Sequence, residues 1–523
     1  MNAELTTVAD ERPAPRYADL FTGFTPDELV LLPQIKRFFE CFEGDQELRH
    51  NLIAGTATGA QIALLREIGI TFDLEQLAPS WRKPELFISA LEALREGRPN
   101  SDEERELLRQ NPILDIWMRF LLKKNALYVI QRGFCTTTPS RSAKYSAWRA
   151  RRIAATKSEL GTYGYAIDHP SLAIELAEGC SVGCYFCAFD APKLTKVFDY
   201  NEPGNVELFR GVAASLRDLL GWSAGHTLLY WSTEPADNPH YVDFMKAFER
   251  VTGSTVCTAT ARAHETWVSD LLAFYGRTRL PWPRISVLTK SIMYKLHKRF
   301  TPEEARDMVM LMQQKDGEEF RVKVPGGRDK MLARLPLYQD LRELETEKKP
   351  DDLLVPQGSI ACVSGFLINL LHRSIKLISP CYTTLAYRYG YRIFEEATFT
   401  DAADFDRVIR DMVERRMLIE PTDDMPMRFR DDLKFRGRPD GFTVVSPNQV
   451  HHCTGQPIQK PLGELIAGGA MTYEEVCESL TDAGFDPMQI AAAIKGLFDE
   501  GFLDEVGVGT PASGHVPAAL AAV

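Results

Sequence analysis

The chain has 523 residues, of which 45% are hydrophobic and 25% are charged, and its formal net charge at pH 7 is −11. The length predicts two to four domains, and the residue balance is that of an ordinary globular protein. The negative charge argues against a general nucleic-acid-binding protein, because such a protein needs a basic surface. The acidic start lacks a signal peptide, and no apolar run approaches the roughly 20 residues that span a bilayer, so we expect no membrane association.

The chain contains ten cysteines, three of which are clustered. This usage fits a reducing cytoplasm better than a disulfide framework, so we predict a cytoplasmic protein. Cys41, Cys135, Cys257 and Cys477 stand apart from the cluster and are predicted to lie in the core.

Residues 1–17 are predicted to be a flexible amino terminus and residues 18–165 a helical domain. Thr25 is a predicted N-cap, since a proline and two acidic residues follow it. Asp45 is predicted to cap a second helix, and Gly69 to end a third.

Residues 35–78 resemble the Nif11-type leader regions of peptide-natural-product precursors. The resemblance rests on a Phe-containing helix, a D-x-E-L element, an Ala/Leu helix and an F-x-L-E-x-L end. The alternative is a plain helical domain that packs on the rest of the protein. Further along, the basic stretch from Trp148 to Arg152 predicts either a solvated helix face or a surface for an acidic leader peptide.

Three cysteines follow an apolar run, residues 171–177, that we predict to be a buried strand. Cys180, Cys184 and Cys187 have the spacing C-x3-C-x2-C, and thiolates suit iron–sulfur clusters. Three cysteines leave one iron of a four-iron cluster open for a substrate or cofactor. A zinc knuckle or three buried thiols are the alternatives, but no fourth Cys or His lies close by in the sequence to complete a zinc site.

This spacing, with an aromatic residue before the last cysteine, resembles the cluster loop of the radical S-adenosylmethionine (SAM) enzymes. The resemblance implies a [4Fe-4S] cluster on Cys180, Cys184 and Cys187, SAM on the open iron, and an external one-electron donor of the flavodoxin or ferredoxin type. Cleavage of SAM then yields a 5′-deoxyadenosyl radical that takes a hydrogen atom from the substrate. Phe186, beside Tyr185, is a candidate to shield the cluster and to stack on the nucleobase.

Residues 166–415 alternate strand-like and helical runs, which is the pattern of βα units around a parallel sheet. This predicts an α/β fold, and the radical SAM resemblance implies a partial (β/α)6 barrel. The predicted strands are residues 171–177, 227–231, 254–261, 284–290 and 320–327, followed by a hairpin of residues 359–368 and 374–379.

The sequence Ser232-Thr233-Glu234 follows the second predicted strand and resembles the family's GGEP element. The resemblance implies that Glu234 and the backbone of Ser232 and Thr233 hold the SAM ammonium group, although both glycines are replaced here. A loop carboxylate with no binding role is the alternative. In the family, polar residues at later strand ends contact SAM, and here Ser286 is the first candidate and Thr260 the second.

A carbon radical made by hydrogen abstraction is quenched with inversion when hydrogen returns from the opposite face. A thiol is the natural donor, because an S–H bond is weaker than a typical C–H bond. Cys381 follows Pro380, which stops the strand, so its thiol is expected at a strand end where barrel active sites lie. Cys362 is the alternative donor, and core filling without a donor role is the remaining possibility.

The segments 378–382 and 390–392 resemble the radical SAM epimerases that convert L- to D-residues in ribosomally made peptides. That resemblance covers about residues 170–415 and implies a cysteine donor and a precursor peptide as substrate. An auxiliary cluster is not predicted, because Cys362, Cys381 and Cys453 are too dispersed.

Residues 416–445, charged and proline-containing, are predicted to be a linker, residues 446–508 a module of three helices and a final strand, and residues 509–523 a disordered tail. The module resembles winged-helix domains, including those that recognise leader peptides by adding a strand to a sheet. Its few basic residues argue against DNA recognition. His451, His452 and Cys453 are not predicted to form a metal site, since three adjacent residues rarely converge on one ion.

The sequence therefore predicts a cytoplasmic radical SAM enzyme that epimerises residues of a ribosomal precursor peptide bound through its leader. One alternative keeps the radical but makes a cross-link or excises a backbone fragment. The other is a metal-stabilised binding protein without enzymatic activity.

Overall fold

The computed structural model describes residues 17–137, 140–161, 164–165, 167–184, 187–314, 361–383 and 387–505, with the backbone alone for residues 128–137. The predicted strand at 320–327, the predicted tail at 509–523 and the candidate Phe186 lie outside the described residues. Within the described residues, none of the helices has both the length and the apolar character that crossing a bilayer requires.

The α-helices of the described residues are, in chain order, α1 Pro26–Gly44, α2 Gln46–Ala54, α3 Gly59–Glu67, α4 Pro79–Arg82, α5 Pro84–Glu96, α6 Asp102–Gln110, α7 Pro112–Thr137, α8 Ala143–Leu160, α9 Asn205–Leu220, α10 Tyr241–Thr252, α11 Glu265–Tyr275, α12 Lys290–Arg299, α13 Ala402–Arg416, α14 Gln459–Gly468, α15 Tyr473–Asp482 and α16 Pro487–Asp499. The strands are β1 Leu172–Glu175, β2 Ala177–Glu178, β3 Lys196–Val197, β4 Thr227–Leu228, β5 Ala259–Thr260, β6 Arg284–Val287, β7 Val309–Met312, β8 Gly365–Asn369, β9 Ser374–Pro380, β10 Tyr391–Thr398, β11 Lys434–Arg438, β12 Gly441–Val445 and β13 Val450–Thr454.

The chain divides into two compact units, which are described separately. Unit 1 comprises Met1–Thr138, Gly179–Val182 and Leu228–Lys323, and unit 2 comprises Pro139–Glu178, Gly183–Thr227 and Val324–Val523.

The helix starts predicted in the amino-terminal part of unit 1 are confirmed. Thr25 and Glu28 form a reciprocal capping box at the start of α1, with N–H···O distances of 3.3 and 2.8 Å. Asp45 caps α2 by accepting the Leu48 N–H at 3.2 Å. The third helix also agrees, since α3 ends at Glu67, just before Gly69.

A parallel sheet of β5, β6 and β7 forms the other part of unit 1, with helices between successive strands. The predicted third strand is reduced to Ala259–Thr260, preceded by an isolated parallel bridge from Cys257 to Leu228. The predicted fourth strand ends at Val287, because Thr289 caps α12. Strand β7 is not among the predicted strands. Parallel strands separated by helices are typical of βα units, and closure into a partial barrel stays a prediction.

The main sheet of unit 2 has the strand order β10-β9-β8-β1-β4, where β4 contributes its first residue, Thr227, to this unit. β1 and β8 are parallel, whereas β8, β9 and β10 are successively antiparallel. The predicted hairpin is confirmed, with Asn369 and Ser374 as the last pair before its turn. Strand β10 is missed by the sequence prediction, because the charged residues Arg392, Glu395 and Glu396 obscure an apolar alternation.

The basic stretch of α8 is buried, so the prediction of a solvated helix face or a peptide-binding surface is wrong. Arg151 and Arg152 are 1% and 3% exposed, and both pair with Glu505, which is 4% exposed. Arg149 donates to the carbonyl of His169. Charged side chains enter the interior here because carboxylate and carbonyl partners are present.

Residues 416–445 are not a linker, so the predicted domain boundary is wrong. Strands β11 and β12 lie within this segment and form an antiparallel sheet with β13. Met425, Met427 and Phe442 are buried in one core with helices α14 to α16. The charged residues of this segment suggested that it is solvated. In the edge strand β11, however, the charged side chains occupy one face, and Phe435 on the other face packs inward.

We therefore define the C-terminal module as residues 421–505. It runs through three strands, then three helices, and ends with Leu503 bridged to Phe429. Thr472 and Glu475 form a capping box at the start of α15, and Asp486 caps α16. The likeness to winged-helix domains stays a prediction.

We predict that Glu505→Gln destabilises the protein by about 3–5 kcal/mol, because it leaves two buried guanidinium groups without their carboxylate. Burial already lowers the pKa of Arg152 to about 10. The measurement is urea unfolding followed by circular dichroism. Asp499→Asn, which breaks an exposed pair with Lys495 in α16, is the matched control and should cost less than about 1 kcal/mol. Equal losses in the two variants would contradict a structural role for the buried pair.

Candidate functional site

Two glycines shape the loop that carries the three cysteines. Gly179 and Gly183 have φ values of +80° and +63°, which lie in the left-handed region that favours glycine. Both glycines therefore allow the chain to turn tightly at these positions. Cys180, Cys184 and Cys187 are each partly exposed.

The last cysteine lies in a local turn that directs one amide group at its sulfur. The Cys187 N–H donates to the Cys184 carbonyl at 3.2 Å, and the Ala191 N–H donates to Cys187 Sγ at 3.4 Å. Amide donors to cysteine sulfur are among the contacts that tune iron–sulfur clusters.

The chemistry of the three thiols, their partial exposure and the conformation of the loop suit an iron–sulfur cluster. A cluster also requires the three sulfur atoms to lie close together. Among the described residues, no three His, Cys, Asp or Glu side chains are gathered in an arrangement that could hold a metal ion. Cys180 belongs to unit 1, and Cys184 and Cys187 belong to unit 2. Cluster binding by the three cysteines therefore stays a prediction.

Glu234, the candidate for the SAM ammonium group, is buried and holds a turn in unit 1. Its carboxylate accepts the N–H groups of Ala236 and Ala261, each at 2.9 Å, and the hydroxyl of Thr260. Burial raises the pKa of Glu234 above its ordinary value, although these three donors act in the opposite direction. A carboxylate has about four acceptor sites, so three donors leave capacity for one more.

The structure brings Thr260 to Glu234 but places Ser286 elsewhere. Thr260 pairs in register with Ile285 of the parallel neighbour β6, so Thr260 and Ile285 lie on the same face of the sheet. Ser286 follows Ile285 and therefore lies on the opposite face, since side chains alternate along a strand. Ser232 and Thr233 are both partly buried in the loop before Glu234.

Asp237 is a site residue that sequence reasoning missed. Its carboxylate accepts the Ser181 N–H at 2.9 Å and the Ser181 hydroxyl at 2.5 Å, and it pairs with Arg262 at 3.0 Å. Asp237 therefore ties the residue after Cys180 to the loop that follows β5, within unit 1. The sequence held a signal for this residue, because Asp237 is an acidic residue only three positions after Glu234.

Cys381, the first candidate for the hydrogen donor, lies in the interior of unit 2. It is completely buried, its S–H donates to the Tyr382 carbonyl at 3.4 Å, and its N–H donates to the Gly390 carbonyl at 2.9 Å. Burial raises the pKa of the Cys381 thiol well above its ordinary value. The thiol is therefore held in its neutral form, which still carries a transferable hydrogen.

The expected position of Cys381 at the active end of the sheet is wrong. β9 is antiparallel to β8, and β8 is parallel to β1, so the carboxyl end of β9 lies at the amino end of β1. The Cys381 loop still approaches the cysteine loop, because Arg388 pairs with Asp190 at 2.5 Å. Asp190 follows Cys187 by three residues.

Cys362 lies just before β8 and is partly exposed. The ladder of the hairpin ends at the pair Gly365–Ile378. Cys362 and Cys381 each lie three residues beyond this pair, on the side of the hairpin away from its turn. Cys41 is buried as predicted, whereas Cys257 and Cys477 are only partly buried.

The C-terminal module presents edge strands and separates its adjacent histidines. β13 is one edge of the sheet β11-β12-β13, and Val450 at its start is 56% exposed. His451 contacts the hydroxyl of Ser158 at 2.7 Å, while His452 on the opposite face contacts Thr443 at 3.2 Å. The divergence agrees with the prediction that these side chains do not converge on one ion.

Comparison with known proteins identifies similarity without a described activity. A family model described as the protein y4wI C-terminal domain matches residues 427–501, which include β11 and β12. The uncharacterized protein y4wI of Sinorhizobium fredii (strain NBRC 101917 / NGR234) is 29% identical over 501 residues, covering 94% of this chain and 90% of that protein. No solved structure matches the chain.

We predict that Asp237→Asn speeds hydrogen exchange of the Ser181 amide by about tenfold or more, because charged hydrogen bonds contribute about 1.5–3 kcal/mol. Mass-spectrometric exchange on the folded protein measures this. Asp243→Asn, which removes the exposed partner of Lys246 in α10, is the control and should leave Ser181 unchanged. Unchanged exchange in Asp237→Asn would contradict the tether.

Proposed function

We propose that this protein is a radical SAM enzyme that epimerises residues of a ribosomally synthesised precursor peptide, in the cytoplasm. The observation that carries the proposal is the loop of Cys180, Cys184 and Cys187, with its two left-handed glycines and partly exposed thiols. When bound, the cluster and SAM supply a 5′-deoxyadenosyl radical that removes a hydrogen atom from a substrate carbon.

In this proposal, residues of the chain bind the cluster and SAM and hold the loops that carry them. Cys180, Cys184 and Cys187 hold the cluster, and Glu234 uses its remaining acceptor capacity for the SAM ammonium group. Asp237 and Thr260 hold the loops that carry these groups. Ser232, Thr233 and Ser286 remain candidates for SAM contacts, and Phe186 for stacking on its base.

In the proposal, a thiol returns hydrogen to the opposite face of the substrate radical. Homolysis of the S–H bond and formation of the new C–H bond leave a thiyl radical, which one electron and one proton restore to the thiol. An external donor of the flavodoxin or ferredoxin type supplies that electron. Cys381 is the proposed donor and Cys362 the alternative; each lies three residues beyond the last pair of the hairpin ladder.

The burial of Cys381 and the partial exposure of Cys362 give the two donors distinguishable properties. A buried neutral thiol is protected from oxidation and keeps its proton, whereas a partly exposed thiol is reached more easily by a peptide. Alanine variants at the two positions separate these assignments.

We predict that anaerobically reconstituted protein, given SAM and dithionite, releases 5′-deoxyadenosine, and that Cys184→Ala abolishes this release because it removes a cluster ligand. Iron and sulfide content is measured in parallel. Cys477→Ala, a cysteine of the C-terminal module, is the control and should retain both cluster and product. Zinc in place of iron and sulfide would instead favour a metal-stabilised binding protein.

The type of reaction is decided with a precursor peptide encoded beside this protein. Epimerisation in heavy water should add one deuterium per D-residue, because the thiol hydrogen exchanges with solvent, and should leave the mass unchanged in ordinary water. Loss of label and of D-residues in Cys381→Ala, with 5′-deoxyadenosine still formed, would assign the donor. A lower peptide mass in ordinary water would indicate a cross-link or an excision instead.

We further propose that the C-terminal module binds the leader of this peptide at the edge strand β13. Among the strands of the described residues, β13 pairs with β12 alone, and Val450 at its start is exposed. A peptide strand added at the other side of β13 would gain main-chain hydrogen bonds and apolar contact.

Val450→Glu is expected to weaken leader binding by about tenfold, as measured by fluorescence anisotropy, because it removes about 1.5 kcal/mol of apolar burial. Met488→Glu, at an exposed apolar residue of α16, is the comparison variant. Equal affinities for wild type and Val450→Glu would exclude β13 as the binding edge.

A further inference from the structure

The loop that begins at Cys381 is held from two sides by helix α8. The Thr156 hydroxyl donates to the Pro380 carbonyl at 3.1 Å, and Glu159 accepts the Tyr382 N–H at 2.8 Å. The residues immediately before and after Cys381 are thus both anchored to one helix. The direction of the Cys381 thiol consequently depends on where Glu159 lies.

Within the described residues, the Glu159 carboxylate is paired with Arg392 of β10. The group is 1% exposed, and Arg392 donates to its second oxygen at 2.5 Å. A carboxylate buried this deeply is unfavourable without a cation, and Arg392 supplies that cation. Burial raises the pKa of Glu159, and the Arg392 guanidinium acts in the opposite direction.

Arg392 is shared between this carboxylate and the C-terminal module. Its second terminal nitrogen donates to Asp431 at 2.7 Å and lies 3.5 Å from Asp432. Asp432 in turn accepts hydrogen bonds from Nε and one terminal nitrogen of Arg430, each at 2.9 Å. One planar guanidinium group therefore joins the module to α8, a geometry that a lysine ammonium cannot reproduce.

The module fixes its end of this chain of contacts through its own backbone. The Arg430 N–H donates to the Phe502 carbonyl at 2.9 Å, and the Arg430 guanidinium donates to the Gly501 carbonyl. The contacts run without interruption from the backbone after α16, through Arg430, Asp432, Arg392 and Glu159, to the amide after Cys381.

We propose that Arg392 and Glu159 are positioning residues for the Cys381 thiol, and that they couple its position to the C-terminal module through Asp431 and Asp432. As a donor assignment this rests on the proposed function, whereas the coupling itself is a property of the folded chain. A leader that displaced residues 430–432 would alter the geometry of the thiol. The module would then act on hydrogen return as well as on peptide capture.

The first test measures the thiol without cofactor or peptide. Native protein is alkylated with iodoacetamide, and mass spectrometry follows each cysteine separately. In Arg392→Lys and Asp431→Asn the alkylation of Cys381 should accelerate by about tenfold or more. Cys41, fully buried in unit 1, reports global unfolding and should stay protected.

The matched control is Arg416→Lys, which alters another buried arginine pair in unit 2, with Glu395 at 2.6 Å. It should leave Cys381 protected. The proposal is overturned if Cys381 reacts at the wild-type rate in both Arg392→Lys and Asp431→Asn. It is also overturned if Cys381 accelerates only together with Cys41, or equally in the Arg416→Lys control.

The second test uses the loaded enzyme and the ratio of D-residues formed to 5′-deoxyadenosine released. Mispositioning of the donor in Arg392→Lys should lower this ratio severalfold while 5′-deoxyadenosine release continues, whereas a merely structural defect lowers both products together. Glu159→Asp should retain more of the ratio than Glu159→Gln, because it keeps the charge. If wild type forms no D-residues, the proposed function fails while the alkylation result still decides the coupling.

Discussion

Unit 2 depends on the burial of charged residues along one helix, α8. Its arginines pair with Glu505 at the end of the module, and its Glu159 pairs with Arg392 of the central sheet. Each charge would be strongly unfavourable alone in the interior, so each is stable only while its distant partner is in place. Residues separated by more than 200 positions in the chain are thereby required to assemble together.

The same contacts connect structure to the proposed chemistry. The Cys381 loop is anchored by Glu159, and the module is anchored to α8 by Ser446, Asn448 and Glu505. Recognition of a peptide and delivery of a hydrogen atom would therefore use one rigid helix as their common support. In unit 1, Asp237 gives the first part of the cysteine loop a comparable anchor.

Local signals in the sequence were sufficient for much of the fold. The caps at Thr25, Asp45 and Thr472 depend on residues three positions apart, and the hairpin of β8 and β9 closes through a short turn. Such interactions are decided within a few residues, so they can be predicted without knowing the rest of the structure. The cysteine spacing belongs to the same class, because it is defined by the chain alone.

The sequence by itself thus determined the starts of α1 and α2, the end of α3, the hairpin and the candidate cluster ligands, while tertiary structure decided the surroundings of the charged residues. Composition suggested a solvated or peptide-binding face for Arg151 and Arg152 and a linker for residues 416–445. The two arginines are instead buried against Glu505, and residues 416–445 contain two strands and several core residues of the module. Strand direction likewise placed Cys381 at the amino end of β1. The physical reason is that the free-energy cost of a charge depends on its burial and its partners, and that the position of a strand end depends on long-range strand pairing. Neither is encoded in the local spacing of residues.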